Sequence, residues 1–407
     1  MNMIRKPELL APAGDWPHLQ LAVAFGADAV YLAADSFGMR ASAASFGGDR
    51  LRAAVDYCRQ RDVAVHLTCN TLPRNDELRR LPAFLEQAKE AGVSALIVAD
   101  LGVFSLARRY APGVPLHVST QAGIVNYETA RMWHELGAAR VILARELPLS
   151  EIAELKAHCP AGLEIEMFAH GAMCVSFSGR CVLSNYMTGR DANRGQCAQP
   201  CRYRYTLMEE KRPGEYFPVF EDDAGTYIFN SKDLCTIDHI PAILAAGVDS
   251  LKLEGRAKTA YYAAVVTNAY RHAIDAAAAG ETLSPIWREE LNKISHRPYG
   301  TGFLFGRQTD SEYVEDSRYI RDWQVCAQVL SCTPEGLATL SLNNKFSAGD
   351  PVELLIPGEE PLSFDAPLMT DEDGLPLREP RHPQMRFHMQ LPRVVPPLSL
   401  LRKYTGK

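Results

Sequence analysis

Along the first part of the chain, short and nearly continuous apolar runs alternate with stretches whose apolar positions recur every three or four residues. The runs are PELLAPAG, AVYLAA, VAVHLTCN, ALIVAD, PLHVSTQ, RVILAR and LEIEMFAHG, all before position 171. The stretches between them read as helices: an Ala/Leu-rich one ending near Gly26, then 51–61, 81–91, one after Leu101, 128–136 and 149–158. Runs without polar alternation are strands covered on both faces, and helices between them make the sheet parallel. After a long interruption the rhythm returns with SLKLEG at 250–255 and an Ala-rich helix over 259–279. Glycines in AFGADAV, AGVSA and AGVDS stand where a helix ends before a strand, a position that favours a left-handed C-cap. Eight such units predict an α/β fold, a TIM-like (β/α)8 barrel, with a doubly wound open sheet as the alternative.

The texture changes after Arg318. WQVCAQVLSC, LATLSLNN, DPVELLIPG and RFHMQL are strand-like, separated by Pro, Gly and acidic turns, and carry no helical period. The expected organisation is a barrel over 1–280 with a cysteine-rich insertion at 171–247, a connector at 281–317 and a small C-terminal β-barrel domain at 318–407.

Composition narrows the class. In 407 residues, 47% hydrophobic and 23% charged positions with 28 Gly and 26 Pro exclude disordered and fibrous chains. The net charge of −6 gives no general attraction for nucleic acid, so any such contact needs a local patch. No apolar run reaches a membrane span and the start MNMIRKPELL lacks a signal-peptide core, which reads as cytoplasmic.

In a (β/α)8 barrel the C-terminal ends of the strands line the mouth where catalysis takes place. Polar residues populate those ends: Arg40, Asn70, Asp100, Gln121, Asn126, Arg145, Glu146, His170, Glu254 and Arg256. Singly, each is satisfied as a helix cap or loop bond; together they suggest a pocket for a charged small molecule. Arg40, Asn70, Gln121, Arg145, Lys252, Glu254 and Arg256 are the substrate-binding candidates, and four of these are cations suited to carboxylates. His170 reads as a hydrogen-bonded strand-end residue or as an acid/base group, with Glu166 the second catalytic candidate.

Five of the ten cysteines, Cys174, Cys181, Cys197, Cys201 and Cys235, fall in one segment. The spacings C-x6-C, C-x15-C and C-x3-C are not those of zinc ribbons. Thiols from separate loops in a Gly-rich surround suit an iron–sulfur cluster, while a nucleophilic cysteine needs partners that spacing does not assign. The same segment carries Arg190, Arg194, Arg202, Tyr203 and Arg204. Interleaved cations and aromatics suit single-stranded nucleic acid, or else a solvated loop paired with Asp191, Glu209 and Glu210.

The stretch EMFAHGAMCVSFSGRCVLS, from Glu166 to Ser184, resembles the signature of the collagenase-like peptidases, family thirty-two of unknown catalytic type. The opening ELLAPAGDWPHL, the block NYMTGRDANRGQCAQPCRYRY and NSKDLCTIDHIPAILAAGVDSLKLEGRAKTAYY resemble it too. The resemblance covers residues 7–280 and implies a barrel with a 4Fe-4S cluster on Cys174, Cys181, Cys197 and Cys235, Cys201 being the alternative ligand. Members of that family hydroxylate tRNA, ribosomal RNA or a ubiquinone precursor, and the C-terminal β-domain is most similar to the branch that makes 5-hydroxyuridine at the tRNA wobble position with prephenate. The expected partners are therefore tRNA and a small dicarboxylate. The alternatives are a collagenase-like peptidase and a ubiquinone-pathway hydroxylation factor.

Overall fold

The computed structural model describes residues 5–39, 46–174, 177–179, 181, 183–200, 220–222, 225–227, 232–306 and 320–406. Its larger part is a closed parallel barrel. The strands are β1 (Glu8–Pro12), β2 (Ala29–Ala33), β3 (Ala64–Cys69), β4 (Ala95–Val98), β5 (Leu116–Val118), β6 (Arg140–Ile142), β7 (Glu164–Ala172) and β8 (Ser250–Leu253). Each pairs with the next, and β8 closes the ring by pairing in parallel with both β7 and β1. This closure excludes the open doubly wound sheet.

Helices α1 (Trp16–Ala24), α2 (Asp49–Arg59), α3 (Leu81–Ala91), α4 (Leu101–Tyr110), α5 (Tyr127–Glu135), α6 (Leu149–His158), α7 (Ile240–Ala245) and α8 (Ala260–Ala279) form the outer layer. Their starts are set by side chains: Asp15, Asp100, Asn126 and Thr259 each accept the first free backbone N–H groups of α1, α4, α5 and α8. Their ends are set by glycine, since Gly26, Gly92 and Gly247 all take positive φ, as the three sequence patterns require. The seventh helix lies inside the span read as insertion; it is short, and its Ile240, Ile243 and Leu244 are buried in the barrel core.

Strand alternation divides the barrel into two shells. Outward residues such as Leu9, Val30, Val65, Leu96, Val141, Ile165 and Leu251 pack under the helices in one large core. Inward residues Leu10, Tyr31, Ile97, Ile142 and Phe168 form a separate cluster inside the barrel. Nearer the N-terminal ends, the inward positions are charged. Arg140 donates to Glu8 (2.5 Å), Glu164 (2.7 Å) and Glu166 (2.9 Å), and Lys252 donates to Glu166 (3.0 Å).

The second domain is one antiparallel sheet of eight strands curled into a half-barrel about its own core. In chain order these are β9 (Trp323–Cys332), β10 (Leu337–Leu342), β11 (Pro351–Leu355), β12 (Leu362–Asp365), β13 (Met369–Thr370), β14 (Pro376–Leu377), β15 (Arg386–Gln390) and β16 (Leu400–Tyr404). The spatial order is β12-β11-β16-β9-β10-β15-β13-β14. Buried ion pairs fasten it to the barrel domain. Arg402, with no exposed surface, donates to Glu290 (2.6 Å), Glu353 (2.7 Å) and the Tyr261 hydroxyl (3.1 Å), and Lys293 donates to Glu353 at 2.9 Å. Removing one partner would strand a buried charge, so breaking this joint is costly. No helix among the described residues is long and apolar enough to cross a membrane.

Candidate active site

The mouth at the C-terminal ends of the strands is built around two aromatic rings carried on inward positions. Tyr31, from β2, has the Lys252 ammonium 4.4 Å and the Arg256 guanidinium 5.5 Å from its ring centre; its hydroxyl donates to the Leu253 carbonyl (2.9 Å), with Glu254 Oε2 3.3 Å away. Phe168, from β7, lies 4.2 Å from the Arg145 guanidinium and 5.6 Å from Lys252. Arg145, Lys252, Glu254 and Arg256 therefore converge as the sequence suggested, on an aromatic floor that sequence reasoning did not single out. The signal was present: period-2 alternation puts both rings on the inward face.

Each cation is held differently. Arg145 spends Nη1 on the Ala172 carbonyl (2.7 Å), while its buried Nε has no partner among the described residues. Arg256 donates to Thr68 Oγ1 (3.3 Å) and to the Met39 carbonyl. Lys252 is committed to Glu166, deeper in the barrel. Asn70 accepts from the Met39 amide (3.2 Å) and donates to Ser119 Oγ (3.2 Å), so it organises the loop after β2. Arg40 lies outside the described residues.

The catalytic candidates are deep in the protein. Burial alone would raise the Glu166 carboxyl, but Lys252 and Arg140 beside it hold it below the usual carboxylate range. It is an ionised member of the buried network, with no exposed surface. His170 sits among the rings of Tyr262, Tyr270 and Tyr299, and burial pushes its pKa down to about 3. Its Nδ1 lies 3.4 Å from the Tyr270 hydroxyl, and its Nε2 has no partner among the described residues. At neutral pH it is an uncharged imidazole in a closed aromatic cage. Asp100 and Asn126 are helix caps, and Glu146 accepts from Ser178 N (2.9 Å) and Oγ (3.0 Å).

That bond to Ser178 anchors the cysteine segment over the mouth. Next to it, Gly179 has φ +75° and sits so close to the Gln121 carbonyl that a Cβ there would lie 2.1 Å from the oxygen. Only glycine permits this approach. Cys174 is exposed; Cys181 and Cys197 are half-buried, and Cys197 Sγ accepts the Gln199 amide at 3.4 Å. Cys235 enters from a different direction. It ends a short strand, Asp233–Cys235, that pairs antiparallel with the end of β7, and its sulfur lies 3.9 Å from the Tyr270 hydroxyl in the layer under α8. Burial pushes its thiol up to about 11. The neighbouring Asp233 is locked by Arg297 at 2.7 Å, a buried pair between insertion and connector with no sequence signature.

As donors, four thiols with a backbone N–H on one sulfur are the kind a cluster uses. Among the described residues, no three His, Cys, Asp or Glu side chains gather closely enough to share one metal ion. Of the RNA-binding candidates, Arg190 is exposed and Arg194 pairs with Glu77 at 2.7 Å. Cys201, Arg202, Tyr203 and Arg204 lie outside the described residues.

Comparisons with known proteins agree with this architecture. A Bacillus subtilis protein named tRNA hydroxylation protein P1 is 36% identical over 408 aligned residues, covering 98% of this chain and 95% of its own. The Escherichia coli tRNA hydroxylation protein P is 37% identical over 394 residues, 86% of each chain. A collagenase from Porphyromonas gingivalis is 34% identical over 314 residues, 74% of each chain. The barrel and its cysteine segment match peptidase family U32 over residues 14–313, and the β-domain matches the peptidase family U32 C-terminal domain over 321–402. The chain is thus a member of peptidase family U32 that carries the family's C-terminal domain.

Proposed function

We propose that this protein hydroxylates RNA, forming 5-hydroxyuridine at the wobble position of tRNA, with a 4Fe-4S cluster as cofactor and prephenate as cosubstrate. The extent of likeness carries the reading. Alignment with a protein named for tRNA hydroxylation takes in both domains and 98% of the chain, whereas the collagenase aligns with 74%. Cys174, Cys181, Cys197 and Cys235 would hold the cluster, with Cys201 as the alternative ligand. When bound, such a group supplies redox chemistry that no side chain has.

The chain's own residues prepare the mouth for a dianion. The buried Nε of Arg145 lacks a partner among the described residues and is a donor that a carboxylate can satisfy. Arg256, whose guanidinium is fixed by Thr68 and the Met39 carbonyl, stands over the other ring and adds positive charge on that side of the mouth. The Ser178–Glu146 bond and the Gly179–Gln121 contact hold the cysteine segment beside that seat. The peptidase reading needs an attacking thiolate. Among the described residues no cysteine sulfur is hydrogen-bonded to a histidine.

Deleting the gene and analysing bulk tRNA nucleosides by mass spectrometry tests the reaction; 5-hydroxyuridine derivatives should disappear. Unchanged nucleosides, together with gelatin cleavage abolished by cysteine alkylation, would establish the peptidase instead. Anaerobically purified protein should be brown with roughly four iron and four sulfide per chain, as a Cys-ligated cubane requires. Alanine at Cys174, Cys181, Cys197 or Cys235 should remove the colour.

A further inference from the structure

A cleft of about 900 Å³ separates the two domains. We infer that it is the bed for the RNA strand flanking the target nucleotide, with the C-terminal domain forming its outer wall; this rests on the RNA-hydroxylase reading above.

The inner wall continues from the barrel mouth. It includes Ala172, two residues before Cys174, Gln199, which lies between Cys197 and Cys201, and Glu254 with the segment that leads into α8. An enzyme that modifies a base extrudes it from its strand, so the neighbouring nucleotides must rest beside the reaction centre. The cleft is in that place.

The outer wall offers the right chemistry. Gln324, Gln328 and Asn343 line it, and a side-chain amide presents donor and acceptor together, matching base edges and ribose 2′-hydroxyls. Its backbone is closed. The Cys326 carbonyl accepts the amides of Asn343 (2.7 Å) and Asn344 (3.0 Å), the Val325 carbonyl accepts Asn344 Nδ2 (2.7 Å), and β9 lies between β10 and β16. A peptide strand therefore finds no free edge to extend, while a nucleotide needs none. The lining's charged residues are Lys258, Arg321 and Glu254, so the cleft lacks the excess of acidic groups that the net charge of −6 gives the chain as a whole. The wall is also rigid: the Trp323 ring is pinned by Lys293 at 4.7 Å and by Arg402 at 5.3 Å. A preorganised wall avoids the ordering cost that a loosely tethered domain would incur on binding.

The test is binding of an unmodified tRNA transcript to the full-length protein, read by fluorescence anisotropy. Gln324→Glu combined with Gln328→Glu places two carboxylates against the RNA and should raise Kd at least roughly tenfold. Asn343→Asp, at an exposed turn, should raise it roughly threefold and carries the test if the double variant fails to fold. Iron content and melting temperature should stay at wild-type values. A folded double variant that binds the transcript with wild-type affinity overturns the inference while leaving the hydroxylase reading intact. If the wild-type protein ignores the transcript and gene deletion leaves tRNA nucleosides unchanged, the reading falls and the inference with it.

Discussion

The two ends of the barrel interior use similar residues for opposite purposes. Below the aromatic floor, Arg140 and Lys252 are matched by Glu8, Glu164 and Glu166, with Glu166 fully buried and Glu8 and Glu164 partly reached by solvent. At the C-terminal mouth, Arg145 and Arg256 lie half-buried over aromatic faces, Arg145 holding a carbonyl and Arg256 a hydroxyl and a carbonyl. A charged group closed on its own partners is architecture. One held in place by carbonyls and rings keeps its charge for something that arrives.

The sharpest way to break this comparison is at the N-terminal end. Arg140→Ala should destabilise the fold by about 3 kcal/mol, because the fully buried Glu166 and the mostly buried Glu8 lose a counterion. Urea denaturation measures it, and a loss below ~1 kcal/mol would mean that water already reaches Glu166. At the mouth the same kind of change should act on ligand and not on fold. Arg145→Gln and Arg256→Gln should each weaken prephenate binding by roughly 10–100-fold, the worth of a charge-assisted hydrogen bond, with urea midpoints near wild type. Calorimetric titration would show whether the two ends differ as described.

A pH series sharpens the contrast with a third environment. His170, whose folded pKa is about 3, binds its proton far less readily in the native state than in the unfolded chain. Its contribution to stability is therefore complete above the unfolded value near 6.5 and is lost as pH falls from there toward 3, at roughly 1.4 kcal/mol per pH unit. His66 and His117, also lowered by burial, add loss in the same direction. His170→Asn should flatten part of that slope between pH 6.5 and 4.5; an unchanged slope would mean that the imidazole already exchanges protons with solvent. The smallest expected effect belongs to the capping residues. Asp100→Ala or Asn126→Ala should cost about 1 kcal/mol each and leave prephenate binding untouched.

The barrel was legible because its signals are local. Continuous apolar runs, helical spacing and the glycines at 26, 92 and 247 each act within a few residues, and together they determine the order of units. The mouth was legible to the level of strand ends, since the residue after a strand must lie near its C-terminal rim. What those residues hold was not. Asp100 and Asn126 cap helices, whereas Arg145 and Arg256 meet rings from distant strands, and strand-end position alone does not separate the two fates. Lys252 borders the same rings as the mouth's arginines, yet its ammonium is taken by Glu166, 86 positions earlier in the chain. The pairings Asp233–Arg297 and Arg402–Glu290 cross the domain organisation altogether, and nothing in either sequence neighbourhood announces the partner.

The short strand Asp233–Cys235 hydrogen-bonds to β7, the strand from which the cysteine-rich excursion departs. The excursion therefore leaves and rejoins the barrel at one doorway, and its closure costs little more when it is long than when it is short. Evolution can lengthen, trim or rewrite such a segment while the barrel keeps its register. Diversification of substrate within a lineage of this architecture is then a matter of exchanging one appendage on a fixed frame.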